Sequence, residues 1–245
     1  MKLSKFVEVL KGIAPLNYCE DFDKERIGLV IDTGRDVNKA AVSLDPTSFV
    51  FEEAARLDCD LLITHHTLIF DSIFKVSKVL SNTLRIALAN EISLYVMHTN
   101  FDAAPGGVND ILAELLGLSM VSTCGIGRVG FVEAMDIKEF SAFVAQTLNT
   151  HVQWVGSGDV RRVMVVSGSG FSQKYIDMAI ENDADVLVSG ELRHSVIRYA
   201  DAVGLSLIDA THYATENPAM KRLCERLPVE SVFIDHDPGV SARLK

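Results

Sequence analysis

One stretch of this chain occurs twice, and that repetition limits the fold more than any other feature. AAVSLDPTSFVFEEAARLDCDLLITHH, beginning at Ala40, aligns without a gap on VVSGSGFSQKYIDMAIENDADVLVSGE at a constant offset of 125 residues. Asp58-Cys59-Asp60-Leu61-Leu62 meets Asp183-Ala184-Asp185-Val186-Leu187, and His65 and His66 fall on Gly190 and Glu191. Further on, ISLYVMHTNFD matches LSLIDATHYATE once one residue is inserted and the second crossover is shortened. His98 then meets His212, and Asp102 meets Glu216. We read an internal duplication of Ala40 to Asp102 as Val165 to Glu216.

Each copy alternates short apolar runs with helical periodicity. AAVSL, DLLIT and SLYVM read as strands, with helices over Thr47 to Leu57, VSKVLSNTLRIALAN and VNDILAELLG. This βαβαβ order implies parallel strands with helical crossovers. The expectation is an α/β protein of two pseudo-symmetric lobes, residues 1–118 and 119–245. Within the second lobe, 119–160 is either an inserted subdomain or the lobe's first part. There GRVGFVEAM, HVQWVG and RRVMVV suggest strands, and DIKEFSAFVAQTL opens with an Asp-x-x-Glu capping box.

Composition narrows the setting. The chain has 245 residues, 48% hydrophobic, with net charge −10, pI near 5.1 and mean hydropathy +0.21. No cluster of Lys or Arg stands out, which argues against nucleic acid or an anionic membrane as partner, since both draw on concentrated positive charge. MKLSKFVEVLKGIAP has Leu3, Phe6, Val7 and Leu10 at helical spacing, broken by Lys5, Glu8 and Lys11. It reads as an amphipathic helix ending before Pro15, not a signal peptide. No run approaches the roughly 20 apolar residues of a membrane span. Cys19, Cys59, Cys124 and Cys224 show no CxxC spacing and read as buried free thiols. The expected location is the cytoplasm.

The chemistry collects where ligands bind in open α/β sheets, beyond the carboxyl ends of the strands. His65 and His66 end one strand, His98 and Asp102 follow another, and Glu191, His212 and Glu216 hold matching places in the second copy. Neighbouring side chains alternate along a strand, so His65 and His66 act together only if the chain turns there or if ions lie on both sides. Histidines with carboxylates suit Zn, Fe, Mn, Co or Ni. Pro218 is tolerated in a first helical turn, which places Glu216 near a helix N-terminus. His151 and His236 read as structural, and Trp154 and the phenylalanines as core. GSG at Gly168 to Gly170 is either a phosphate cradle or a simple tight turn.

LITHHTLIF, HTNFDAAPGGVND, SGELRH and HYATE, with GLVID after the N-terminal helix, resemble the signatures of the Nif-three-like dinuclear metal proteins. That family is often labelled GTP cyclohydrolase 1 type 2 homologs. The resemblance runs nearly the whole chain and departs from it at Thr67, where many members carry Pro. It implies two α/β lobes around a dimetal cleft. His65, His66, Asp102, His212 and Glu216 would bind two divalent transition-metal ions, with His98, Glu191 and His194 beside them for hydrogen bonding or proton transfer. It also implies a toroidal homohexamer, a trimer of dimers. Two functions follow as expectations. One is a metal-dependent hydrolase of a small nucleotide-like substrate; the other is a non-catalytic metal-binding or metal-handling protein whose ring serves partners.

Overall fold

The apolar runs become buried strands of two separate sheets. The computed structural model describes residues 1–239. Helix α1 (Leu3–Ile13) buries Leu3, Phe6 and Leu10, as its spacing predicts, and strand β1 (Gly28–Ile31) follows. Then come β2 (Lys39–Ser43), α2 (Ser48–Arg56), β3 (Leu61–Thr64), α3 (Lys78–Ala89) and β4 (Ser93–Val96). Strands β2, β3 and β4 pair in parallel, and β1 runs antiparallel beside β4. Every residue of β3 and β4 is buried, which is why they read as continuous apolar runs and not as alternating ones. Thr47 and Ser77 cap α2 and α3 by accepting from the Val50 and Leu80 N–H groups. These caps satisfy donors that have no partner within the helix. A short helix, α4 (Thr99–Ala103), leaves β4.

The next part of the chain holds α5 (Val108–Leu115), β5 (Ser119–Cys124), β6 (Gly127–Asp136), α6 (Ile137–Leu148), β7 (Gln153–Val155) and β8 (Asp159–Val165). It continues with α7 (Gln173–Glu181), β9 (Val186–Ser189), α8 (His194–Val203), β10 (Ser206–Asp209) and α9 (His212–Leu223). Its sheet has the order β5-β6-β8-β9-β10-β7. The segment 119–160 is therefore no separate subdomain, because its three strands extend the sheet of the second lobe. Asp136 caps α6, although through the Lys138 N–H. The last strand, β11 (Glu230–Phe233), returns to the first sheet and pairs in parallel with β2.

Two compact units result, one of Met1–Pro105 with Ala219–His236, the other holding Gly106–Pro218. The division differs from the boundary expected at 118/119 for two reasons. Leu112, Ala113, Leu116 and Leu118 bury in one apolar cluster with Phe140, Val163 and Val186 of the second sheet. Near the C-terminus, pairing with β2 draws β11 into the first unit.

The duplication is visible in the elements themselves. α2 and α7, and likewise β3 and β9, begin and end 125 residues apart. Asp58 and Asp183, also equivalent, are both left-handed, with φ of 55° and 48°. β8, β9 and β10 pair in parallel in the order of β2, β3 and β4. The gapless alignment fails at the first strand, however. Ala40 lies opposite Leu61, whereas Val163, not Val165, lies opposite Val186. The loop after β8 is thus two residues longer than the one after β2, and the extra length falls in the Ser167–Gly170 turn. The same shift relates two anchors: Asp60 Oδ2 accepts from the N–H groups of Asn38 and Lys39, and Asp185 Oδ2 from those of Arg161 and Arg162.

Two smaller expectations change. Cys59 and Cys124 are buried, but Cys19 and Cys224 only half so; all four are free. Burial pushes each thiol up, Cys59 to about 11. Trp154 is exposed on the edge strand β7, and Phe22, Phe49, Phe70 and Phe74 also lie at the surface, outside the core. No described helix is long and apolar enough to cross a membrane.

Candidate metal centre

In the first lobe the chain turns as soon as β3 ends. The N–H groups of His65 and His66 both point to the Leu44 carbonyl, at 3.2 and 3.0 Å, so strand alternation stops there. The two rings come within 5.2 Å, centroid to centroid. His98, which follows β4, brings its ring 5.0 Å from His65 and 5.7 Å from His66. One nitrogen from each of the three lies within 4.8 Å of the others. One turn further, in α4, Asp102 places Oδ1 3.6 Å from His65 Nε2. His65 and Asp102 are buried; His66 and His98 are partly open.

Each of these imidazoles is held by Nδ1. His65 Nδ1 lies 2.9 Å from the Met97 carbonyl, which can only accept, so this nitrogen carries the proton. His66 Nδ1 lies 2.7 Å from Asp45 Oδ1, and His98 Nδ1 2.7 Å from Asp23 Oδ2. A ring fixed in this way presents Nε2, the arrangement that metal-binding histidines adopt. Asp23 is itself fully buried and also accepts from the Thr99 N–H and hydroxyl. Burial alone would push its carboxyl up. The hydrogen bond and charge of His98, together with the two Thr99 donors, outweigh burial and hold it below the ordinary carboxylate range. A depressed folded pKa contributes stability above the unfolded value, about 3.9, and loses it as pH falls through the folded value. Asp23→Asn keeps the shape and removes the charge. We expect metal affinity to fall roughly 10–100-fold, as when other supporting partners are lost. Competition titration with a chelating dye measures this, and unchanged affinity would mean that Asp23 does not support the site.

In the second lobe, His212 opens α9 and Glu216 stands four residues later on the same face, with His212 Nε2 2.9 Å from Glu216 Oε2. The expectation for Pro218 is corrected here. The helix already starts at His212 and contains Pro218, so Glu216 lies beyond the first turn. Thr211 sets this early start, its hydroxyl accepting from the Ala214 N–H. Glu191 Oε1 lies 2.6 Å from His212 Nδ1, which makes it a support for that ring. Glu191 and Thr211 are both left-handed, with φ of 64° and 67°. Such non-glycine residues cost on the order of 1–3 kcal/mol each and collect at functional sites. Gly190, the counterpart of His65, has backbone packed against the place where a side chain would stand. A Cβ there would lie 2.5 Å from the His212 backbone nitrogen, so the space is filled by backbone. His194, the first residue of α8, is exposed and makes no hydrogen bond or ion pair among the described residues.

The donors suit a borderline transition metal. Ligand bonds of about 2.0–2.2 Å in a tetrahedral arrangement separate donors by about 3.4 Å, close to the 3.6 Å between His65 Nε2 and Asp102 Oδ1. That separation is long for a hydrogen bond. Nothing in the spacing of the sequence marks Asp23, Asp45 or the Met97 carbonyl. They come from a short 3-10 helix, a loop and a strand end, and only the fold brings them to the rings.

Two α/β lobes, each ending parallel strands in histidine and carboxylate, carry nitrogen and oxygen donors grouped closely enough to hold a metal ion. The chain belongs to the Duf34/NIF3 (NGG1p interacting factor 3) family, whose model matches residues 1–238. A relative from Methanocaldococcus jannaschii, named GTP cyclohydrolase 1 type 2 homolog, is 32% identical over 96% of this chain and all of its own. The structure of reduced HcgD from the same organism is 33% identical with a TM-score of 0.85, covering 95% of this chain and 97% of that one. A Bacillus cereus protein related to NIF3 has a TM-score of 0.90 over 99% of both chains. At 22% identity it shares the fold.

Proposed function

We propose that this chain is a metal-dependent hydrolase that takes two divalent transition-metal ions and acts on a small nucleotide-like substrate. The observation that carries this reading is the anchoring of four imidazoles, His65, His66, His98 and His212, each through Nδ1 to a carboxylate or carbonyl. His65, His66, Asp102, His212 and Glu216 would hold the ions. Two such ions supply Lewis acidity and lower the pKa of a bound water. The Asp23 carboxylate, 2.7 Å from His98 Nδ1, occupies that side of the ring and leaves Nε2 as the atom through which His98 would deliver or accept a proton. Glu191 orients His212. His194, exposed at the start of α8, offers a second imidazole for proton transfer. The name carried by the relatives supports opening of a purine-type ring as the reaction class. The free thiols fit a reducing cytoplasm.

Metal analysis of gently purified protein should approach two equivalents per chain, and Glu216→Gln should lower stoichiometry and affinity. Full occupancy in that variant would remove Glu216 from the ligand set. Turnover assays on nucleotides with the native metal then separate a hydrolase from a metal-handling protein that binds the ions and converts nothing. The same reading places the chain in a ring of six, a trimer of dimers. Light scattering should give a mass near six times the 26.8 kDa chain, and a monomer mass would overturn the ring.

A further inference from the structure

We infer that Phe22, Phe70 and Arg26 form a platform for a planar, anionic heteroaromatic ligand at the rim of the His65–His66–His98 cluster. This deepens the hydrolase reading by naming the part of the site that would select the substrate, and in that sense rests on it. Both phenylalanines are about half exposed, at 52% and 54%, yet each is tied closely to a residue of the site. Phe22 immediately precedes Asp23, which holds His98, and Phe70 follows His66 by four residues. The Phe22 ring stands edge-on to His98 at 6.4 Å between centroids, an interplanar angle of 76°. Phe22 and Phe70 are 6.5 Å apart and inclined by 42°.

Arg26 completes the group. Its guanidinium lies 4.0 Å from the Phe70 centroid and 5.5 Å from that of Phe22. Nε donates to the Phe70 carbonyl, and a terminal nitrogen lies 3.6 Å from the exposed Asp71 carboxylate. A cation held over an aromatic face, beside two half-exposed rings and a histidine cluster, is a chemically mixed surface. Ligand sites combine aromatic walls with a few placed polar groups in this way. A bare phosphate would not use the rings, and an apolar ligand would not use the guanidinium. A base joined to a phosphate uses both, because every base has a stackable face and arginine favours phosphate.

The test uses the metal-loaded full chain and isothermal titration with guanosine 5′-monophosphate and ribose 5-phosphate. The wild type should bind the nucleotide more tightly than the sugar phosphate. Phe22→Leu and Phe70→Leu should each weaken the nucleotide roughly tenfold and leave the sugar phosphate unchanged, while Arg26→Gln should weaken both. Phe70→Tyr, which keeps a ring, should restore nucleotide affinity and guards against misreading a folding defect. Metal stoichiometry should be equal throughout. The platform is overturned if the wild type does not prefer the nucleotide or if the leucine variants retain full affinity. It is also overturned if their effect is on assembly mass, which would make the rings a self-association surface. Binding as expected without turnover would sink the hydrolase reading and leave the platform standing; turnover with ring-independent binding would do the reverse.

Discussion

Gly168→Ala is expected to strip the second lobe of Glu216 as a ligand while leaving the protein folded. Gly168 is left-handed, with φ of 64°, and a Cβ built there lies 2.0 Å from Glu216 Oε1 and 3.2 Å from His212 Nε2. The backbone cannot retreat easily. Its N–H donates to Thr215 Oγ1 at 2.9 Å, and its carbonyl accepts from the Ser189 hydroxyl and the Gly190 N–H. The neighbouring Ser167 N–H is fixed on Asn109 Oδ1. The long glutamate side chain is therefore what yields. We expect metal affinity to fall by at least the roughly 10–100-fold seen when a supporting group is lost. The backbone cost is only about 1–2 kcal/mol. Gly204→Ala is the control, since Gly204 is also left-handed, with φ of 76°, and has nothing within 4 Å of a built Cβ. Metal titration and thermal melts of both variants separate crowding from strain. Equal metal affinity in the two would show that the Ser167–Gly170 turn does not position Glu216.

His98→Ala is expected to lower turnover by roughly 10²–10⁴-fold, the contribution of a positioned proton-transfer group, once a substrate is found. The structure also brings His98 as near to His65 as His66 is, so metal binding should be measured alongside. Loss of activity with both ions retained assigns proton transfer to His98. Loss of an ion makes it a ligand. Hydrolysis equal to the wild type removes it from the reaction altogether.

The alternation of strands and helices was legible because β3 and β4 are buried along their whole length and read as apolar runs. The ends of those strands were legible too, since adjacent histidines there contribute little to packing. The supports behind the rings were not. Asp23 meets His98 across 75 residues of chain, and Asp45 meets His66 through a loop, so no local period records either contact. Pro218 misled for a physical reason. A proline usually marks a first turn, but here the Thr211 cap starts the helix earlier and the proline is carried inside it. The two-residue slip at β8 leaves no mark in the sequence because apolar strand residues are interchangeable in an alignment, whereas hydrogen-bond register is not. β11 has no clear signature in the sequence because ESVF is too short to stand out until β2 offers it an edge.

The pairing of β11 with β2 also has a consequence in time. A chain leaves the ribosome from its N-terminus, and domains generally fold as units while it does so. The second lobe is continuous from Gly106 to Pro218 and has every strand of its sheet once that stretch has emerged. The first lobe, although translated earlier, waits for Glu230–Phe233 to supply its last strand. Until then one edge of β2 stands open, with unpaired backbone groups of the kind that recruit other chains. The lobe made first is thus the lobe finished last, and its edge stays open while the whole of the second lobe's sheet is made.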